Sequence, residues 1–265
     1  MTDDRNDAPQ TPTRTQADAT PSSAAGLMKL EGCIALVTGA NRGLGKALVS
    51  ALLQAGASKI YAAARDEGQI VAANSRVVPL RLDVTKPEQV AAAASQAADV
   101  TLLINNAGTL SSFNVLTATQ ANIEADFSVQ VHGTLNVIKA FLPVLERARG
   151  GATIVNVLSL SSLASVPPMG GYSASKAAAY SITQALRPEL KKKAIQVLAA
   201  LPGPIDTDMV RGIELPKANA ADTALQIIAG IARGEEEIFP DAMAQQMGAL
   251  WRQDPKAFER AFASF

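Results

Sequence analysis

Tyr172 and Lys176 stand four residues apart at the start of a predicted helix, in the run Tyr-Ser-Ala-Ser-Lys. Four residues turn an α-helix by about 400°, so the two side chains lie on one face. A free tyrosine has a pKa of about 10, and a neighbouring ammonium group favours its phenolate. Ser159 ends a predicted strand upstream, where its hydroxyl can donate to a substrate oxygen. The three residues predict acid/base chemistry at a carbonyl or alcohol, with Tyr172 exchanging the proton.

A glycine-rich loop lies far upstream of these residues. The run Thr-Gly-Ala-Asn-Arg-Gly-Leu-Gly spans residues 38–45, between a predicted strand (33–38) and a predicted helix (44–54). Glycines allow a tight turn and close backbone approach, and the helix start offers unpaired N–H groups to a pyrophosphate. The loop predicts a dinucleotide site that includes Gly39, Asn41, Arg42, Gly43, Leu44 and Gly45.

The residues after the second predicted strand bear on the choice of nucleotide. A carboxylate there would bind the ribose hydroxyls of NAD and repel a 2′-phosphate. Here the strand ends at Ala64 and Arg65 follows, while Arg42 lies in the glycine loop. Two guanidinium groups favour a phosphate, so we expect NADP(H) rather than NAD(H). Asp66 keeps NAD(H) open as the alternative, since a shift of one residue would bring its carboxylate to the ribose.

Strand and helix patterns alternate along the chain, and this alternation predicts the architecture. Predicted strands cover 33–38, 60–64, 77–82, 101–104, 152–158 and 195–201, and predicted helices cover 44–54, 87–98, 122–145 and 172–191. Parallel strands need such crossover helices, so we expect a single α/β domain with a doubly wound parallel sheet of the Rossmann type. Proteins with this topology bind their ligands at the carboxyl ends of the strands, and the glycine- and asparagine-rich runs lie at these ends.

Composition sets limits on domain organisation and partners. Residues 1–27 hold few large apolar side chains and are predicted to form a disordered tail, which leaves 28–265 as the catalytic domain. Lys plus Arg and Asp plus Glu number 24 each, a balance that predicts neither nucleic-acid nor membrane-surface binding. The absence of long apolar runs and of a signal-peptide pattern predicts a cytoplasmic protein. One cysteine and one histidine cannot form a structural zinc site, so no metal is expected.

With these motifs the sequence resembles the short-chain dehydrogenase/reductase family over residues 30–210. Residues 38–45 are similar to its cofactor loop, residues 105–108 to its Asn-Asn-Ala-Gly run, and residues 202–207 to its Pro-Gly-x₃-Thr segment. The resemblance implies an NADP(H)-dependent oxidoreductase acting on CH–OH or C=O, with Ser159, Tyr172 and Lys176 as the catalytic residues. It also implies cofactor contacts from Asp83, Val84, Asn106, Ala107, Gly108, Tyr172, Lys176, Pro202, Gly203, Ile205 and Thr207.

One position departs from the family pattern. The family places an asparagine in a Phe-x-x-Asn-x-x-Gly helix, where it helps to hold a water linked to the lysine. The matching run here is 127–133, and that position is Gln130. Glutamine keeps the amide donor and acceptor one methylene further out, so we expect it to be tolerated, although a rearranged or slower proton relay is the alternative.

The substrate is predicted to be a small, neutral and rather hydrophobic ketone or aldehyde. Apolar side chains lie near the catalytic residues in sequence, namely Leu158, Leu160, Val166, Pro167, Pro168 and Met169. A short lid is expected over 208–216, where Arg211 is either a solvated residue or a site for an acidic substrate. Family members commonly pair the helices predicted at 121–145 and 172–191 between subunits. The resemblance therefore implies a homodimer or homotetramer, although the small residues there also suit packing within one chain.

Three functions remain open at the level of sequence. The first is a carbonyl reductase, or the reverse alcohol dehydrogenase. The second is an isomerase or dehydratase that uses the same fold and a transient hydride. The third is a sensor that binds the dinucleotide without catalysis. The presence of Ser159, Tyr172 and Lys176 argues against the sensor, because binding alone needs no phenol acid/base.

Overall fold

The computed structural model describes residues 28–212 and 214–265. The predicted disordered tail, 1–27, and Ile213 of the predicted lid lie outside these ranges. None of the helices in the described ranges is both long and apolar enough to span a membrane. Within the same residues, no cluster of three or more His, Cys, Asp or Glu side chains is arranged to hold a metal ion.

Seven strands form one parallel sheet within the described part of the chain, in the order β3-β2-β1-β4-β5-β6-β7. The strands are β1 Ile34–Thr38, β2 Lys59–Ala64, β3 Val77–Arg81, β4 Leu102–Asn105, β5 Ala152–Val157, β6 Ile195–Ala200 and β7 Glu237–Ile238. Strand order reverses between β1 and β4, and such a point opens a crevice at the carboxyl ends of the strands. The doubly wound parallel sheet predicted from the alternating pattern is therefore confirmed.

Helices cover both faces of the sheet. They are α1 Gly43–Gln54, α2 Pro87–Gln96, α3 Gln120–Phe127, α4 Thr134–Leu145, α5 Gly170–Lys191, α6 Ala220–Arg233, α7 Ala242–Gln253 and α8 Pro255–Ala263. Neighbouring strand residues face opposite cores because side chains alternate along a strand. In β1, Val37 packs in the core with Leu48 of α1 and Ile227 of α6, whereas Leu36 packs in the core with Phe141 of α4.

The helix predicted at 122–145 is present and continuous, but it is not α-helical throughout. Between α3 and α4, Ser128–Gly133 forms a π-helical turn. Apolar spacing did not predict this turn, because six residues are too few to give a periodicity of their own. The turn carries Gln130, which is buried, and His132, which is exposed. Such turns are frequent at functional sites.

The C-terminal helices pack on their own domain. Phe258 and Phe262 of α8 are buried with Leu160 and Val166 in a separate apolar cluster. The rings of Phe262 and Phe265 meet edge to face at 5.6 Å, and Phe265 stays 42% exposed. The C-terminal residues therefore complete one wall of the domain beside the strand ends.

Candidate active site

A cleft of about 1050 Å³ opens at the carboxyl ends of the strands, at the predicted crevice. Every residue that the sequence assigned to catalysis or cofactor binding lines it. They are Gly39, Asn41, Arg42, Gly43, Leu44, Gly45, Arg65, Asp83, Val84, Asn106, Ala107, Gly108, Gln130, Ser159, Tyr172, Lys176, Pro202, Gly203, Ile205 and Thr207. Residues far apart in sequence thus share one concave surface, large enough for a dinucleotide and a small substrate.

The glycine loop leaves room for a ligand against the start of α1. Gly39 and Gly43 adopt φ values of +65° and +52°, a left-handed backbone that glycine adopts without strain. A Cβ at Gly45 would collide with the carbonyl oxygen of Gly39, so only glycine fits there. The side chain of the N-cap residue Arg42 does not cap α1, which leaves its first N–H groups free for a phosphate.

The loop is braced by the segment after β4. The backbone N–H groups of Asn106 and Ala107 donate to the Thr38 hydroxyl at 2.9 and 3.0 Å. The Asn106 amide donates to the Thr38 carbonyl oxygen at 2.9 Å. These bonds fix the strand ends of β1 and β4 against each other, so the cleft floor is rigid where the two halves of the fold meet.

Two arginines and two carboxylates lie at the far end of the cleft. Arg65 directly follows β2 and is exposed, at the position the sequence predicted. Asp66, by contrast, accepts from the Gly68 N–H at 3.1 Å and from the Gln69 amide at 3.0 Å, so its carboxylate caps its own turn. Arg42 is 67% exposed and lies 3.6 Å from the carboxylate of Asp208. Two guanidinium groups thus reach this end of the cleft.

Asp83 lies beside this arginine-bearing end. Its carboxylate accepts hydrogen bonds from the Thr85 hydroxyl at 2.7 Å and from the Thr85 N–H at 2.9 Å. Burial by itself would raise the pKa of Asp83, but the bonds from Thr85 and the nearby charge of Arg65 hold the pKa below its ordinary value. Asp83 is therefore a fixed carboxylate acceptor in the cleft wall.

Ser159, Tyr172 and Lys176 meet at the middle of the cleft. The Lys176 ammonium nitrogen Nζ lies 5.7 Å from the centroid of the Tyr172 ring and donates to the Val157 carbonyl oxygen at 3.0 Å. The Ser159 hydroxyl accepts from the Ser161 N–H at 3.2 Å, which orients it at the end of β5. The structure thus brings together the serine, phenol and ammonium groups that the sequence placed by spacing.

The pKa of Tyr172 differs from the expectation. The sequence predicted that the ammonium group would lower it, whereas in the structure burial raises it and the carboxylate of Asp126 raises it further. The neighbouring Ser159 hydroxyl acts in the opposite direction. Burial prevails because removing a phenolate from water is costly. Tyr172 is therefore a neutral phenol at physiological pH, ready to donate its proton.

Lys176 is perturbed in the complementary direction. Its side chain is almost fully buried, and this burial lowers its pKa from 10.5 to about 8, although Asp126 partly opposes the change. A group with a pKa near neutrality exchanges protons readily under physiological conditions. Lys176 is thus poised to take up and release a proton beside Tyr172.

Gln130 occupies the position where the family has asparagine. Its amide Nε2 donates to the Ser175 hydroxyl at 2.9 Å and to the Thr109 carbonyl oxygen at 3.2 Å. Its Oε1 is buried and accepts no hydrogen bond from the described residues. A Cβ built on Gly108 would lie 3.9 Å from Gln130 Oε1 and 3.8 Å from Lys176 Nζ. The free acceptor of Gln130 and the lysine therefore flank the same small space.

The remainder of the cleft is apolar. Leu158, Leu160, Val166 and Met169 line it as predicted. Pro167 and Pro168 do not, and both are exposed at the start of the 3₁₀ turn that ends at Met169. Arg211 pairs with Asp208 and lies outside the lining. Four apolar lining residues come from segments that the sequence did not connect to the site: Leu110, Met243, Phe262 and Phe265. Only the helical spacing of the two phenylalanines gave a signal, and it did not reveal what they face.

Comparison with known proteins identifies the family. The family model for short chain dehydrogenases matches residues 33–218. The chain belongs to the short-chain dehydrogenase/reductase family. Members of this family bind NAD or NADP, and the loop, helix start and arginines described above fit such a group.

Relatives of this short-chain dehydrogenase/reductase include enzymes and solved cofactor complexes. The chain is 34% identical over 197 residues to the NADPH-dependent 1-acyldihydroxyacetone phosphate reductase of Saccharomyces cerevisiae, covering 70% of this chain and 65% of that protein. A short chain dehydrogenase from Burkholderia cenocepacia, solved with NADP, is 42% identical with a TM-score of 0.83, covering 89% of this chain and 99% of that one. A Burkholderia phymatum relative, solved with NAD, is 26% identical with a TM-score of 0.74, covering 87% and 96%.

Proposed function

We propose that the protein is an NADP(H)-dependent oxidoreductase that interconverts a small apolar ketone or aldehyde and its alcohol, with Tyr172 as the acid/base. The observation that carries this proposal is the meeting of Ser159, Tyr172 and Lys176 in one cleft with a glycine loop at one end. A cleft that only bound a dinucleotide would need no phenol beside a buried amine. This favours catalysis over a sensor.

The cofactor would lie along the floor of the cleft. The N–H groups at the start of α1 would hold its pyrophosphate, and Asp83 would accept from its adenine end. Lys176 and the segment 202–207 would hold the nicotinamide end. When bound, the nicotinamide supplies or accepts the hydride. The protein's own residues position the two reactants and handle the proton.

The proton chemistry follows from the two perturbed pKa values. In the reducing direction, neutral Tyr172 donates its proton to the substrate oxygen, while Ser159 donates a hydrogen bond to the same oxygen. The ammonium form of Lys176 stabilises the phenolate that forms, and its pKa of about 8 allows it to return a proton. In the oxidising direction, the phenolate accepts the proton of the alcohol.

The lining of the cleft supports a neutral, hydrophobic substrate. Beyond the catalytic hydroxyls, the side chains that face it include Val166, Met169, Met243, Phe262 and Phe265. A carboxylate or phosphate placed among these groups would lose water without gaining a charged partner. The phosphate of the substrate named for the yeast relative would therefore not be held by this wall.

NADP(H) is proposed over NAD(H) on the charges at the ribose end. Arg42 and Arg65 suit a 2′-phosphate, and Asp66 is engaged in its own turn. The NADP complex of the 42% identical Burkholderia relative and the NADPH dependence named for the yeast relative support the same preference. The NAD complex of the 26% identical relative supports the alternative.

Replacing the two arginines tests this preference. We expect the double variant Arg42→Ala/Arg65→Ala to raise KM for NADPH at least about tenfold, because one or two charge-assisted contacts to the phosphate are lost. KM for NADH should change little, because NADH has no 2′-phosphate. Arg81→Ala serves as the control, because Arg81 is an exposed arginine outside the cleft. Equal increases for both cofactors, or none for either, would contradict the proposed phosphate site.

Assembly is proposed as a homodimer or homotetramer. Ala174, Ala177 and Ser181 form an exposed row of small side chains on α5, which suits close approach of a helix from another subunit. Light scattering after size exclusion measures the mass directly. A monomer at micromolar concentration would contradict this part of the proposal.

A further inference from the structure

Asp126 is a buried carboxylate that the assignments above do not use. It lies near the end of α3 and has no exposed surface. Four donors surround it: the Thr109 hydroxyl at 2.7 Å, the N–H groups of Ser111 and Ser112 at 2.9 Å each, and the Ser112 hydroxyl. An acceptor bound by four donors is a carboxylate rather than a carboxylic acid, because a protonated oxygen would itself need an acceptor.

All four donors belong to one loop, residues 109–113, which lies between α3 and the catalytic helix α5. The Ser112 carbonyl oxygen accepts from the Tyr172 N–H at 3.3 Å, and the Phe113 carbonyl oxygen accepts from the Gly171 N–H at 3.2 Å. A Cβ at Gly171 would collide with the Ser112 side chain, so loop and helix are in close contact. The backbone of Tyr172 is thus held by a loop that Asp126 holds in turn.

We propose that Asp126 is a positioning residue for Tyr172, which places the phenol through loop 109–113. This inference rests on the proposed function, because it assumes that Tyr172 transfers the proton. Asp126 makes no contact with the reacting atoms and is not a catalytic residue.

The charge of Asp126 supplies a second readout of this role, and few groups take part in it. Tyr172 faces Lys176 on its own helix, the Ser159 hydroxyl from the end of β5, and Asp126 from α3. Asp126 raises the pKa of Tyr172 and also raises the pKa of Lys176, because a negative charge disfavours the phenolate and favours the ammonium. Neutralising Asp126 should therefore lower both values, which displacement of the loop alone would not do.

Asp126→Asn tests the role, because it removes the charge and replaces one acceptor oxygen by an amide NH₂ group that faces donors. We expect turnover to fall about tenfold to a hundredfold, the cost of a misplaced catalytic group. For oxidation of 1-phenylethanol with NADP⁺, we expect the acidic limb of the pH profile to move down by roughly one pH unit. The absorbance of tyrosinate can also be titrated in the NADP⁺-saturated protein, with the Tyr172→Phe protein subtracted. The pH midpoint of this titration should be lower in Asp126→Asn than in wild type.

Two further variants separate the possible outcomes. Glu124→Gln removes an exposed charge from the same helix and should match wild type. Ser112→Ala keeps the carboxylate but removes one loop bond, so it should lower turnover without moving the pH profile. An Asp126→Asn protein whose turnover and titration equal those of Glu124→Gln would overturn the inference.

The proposed function and the inference fail in different ways. If Tyr172→Phe keeps its activity, the acid/base assignment itself is wrong. If Tyr172→Phe is inactive but Asp126→Asn behaves as wild type, only the role of Asp126 is wrong. If circular dichroism shows that Asp126→Asn is unfolded, the turnover of Ser112→Ala and Thr109→Val tests the positioning role instead. Full turnover in both variants would overturn that role.

Discussion

Replacing Lys176 by methionine should make the protein more stable while abolishing its activity. Methionine fills a similar space without the charge, and Lys176 is only 6% exposed. Burial lowers the pKa of Lys176 from 10.5 to about 8, a difference of about 2.5 pH units. At about 1.36 kcal/mol per pH unit, the charged lysine costs the folded state about 3 kcal/mol at pH 7.

The sign of the pH dependence follows from the same values. Between pH 8 and 10.5 the unfolded lysine binds a proton that the folded lysine has released, so the wild-type free energy of unfolding rises with pH. The cost falls from about 3 kcal/mol at pH 7 to about 1 kcal/mol at pH 10. The lost bond to the Val157 carbonyl oxygen costs the variant about 1 kcal/mol, but this loss does not depend on pH.

Urea unfolding followed by circular dichroism at pH 7 and pH 10 measures the effect. The difference in unfolding free energy, Lys176→Met minus wild type, should shrink by about 2 kcal/mol over this range. Lys191→Met is the matched control, an exposed lysine at the end of the same helix, and should show no such trend. A Lys176→Met difference that stays constant from pH 7 to pH 10 would refute the claim that the lysine is desolvated.

Further predictions concern the amide and the aromatic wall. Gln130→Asn should leave turnover within a few-fold, because the Thr109 carbonyl and the Ser175 hydroxyl remain as partners; a steady-state loss beyond about a hundredfold, near 2.7 kcal/mol, would contradict this. Phe265→Ala should raise KM for a bulky aryl ketone more than for acetone, and equal effects on both would argue against a substrate wall. Phe262→Ala should lower the free energy of unfolding by about 3 kcal/mol, since its ring is buried, and thermal unfolding checks this value.

Much of the fold follows from local pattern. The six predicted strands and the helices at 44–54, 87–98 and 172–191 lie within two residues of their observed bounds. These elements carry continuous apolar runs or clear helical spacing, bounded by Gly, Asn or Pro. Strand β7 was missed because two residues, Glu237–Ile238, give no periodicity, and only pairing with Ala199 and Ala200 makes them a strand.

The site residues that could be predicted are likewise those that belong to local sequence patterns. Residues in short motifs, such as the glycine loop and the Tyr-x-x-x-Lys pair, were predicted because their spacing itself expresses the chemistry. Phe262 and Phe265 were not assigned to the cleft, because the packing of α8 on the 3₁₀ turn at Leu160–Ser162 depends on contacts between distant segments. The raised pKa of Tyr172 was also missed, because burial and the charge of Asp126 are properties of the folded chain.

The central claim is that Tyr172 transfers the proton during NADPH-dependent carbonyl reduction. NADPH oxidation by the purified protein, with a panel of aryl and alkyl ketones and aldehydes, tests it most directly when Tyr172→Phe is assayed beside wild type. We expect wild type to consume NADPH faster than NADH, and Tyr172→Phe to lose a factor of about 10² to 10⁴ with cofactor binding retained. A Tyr172→Phe protein that reduces the best ketone at the wild-type rate would contradict the account.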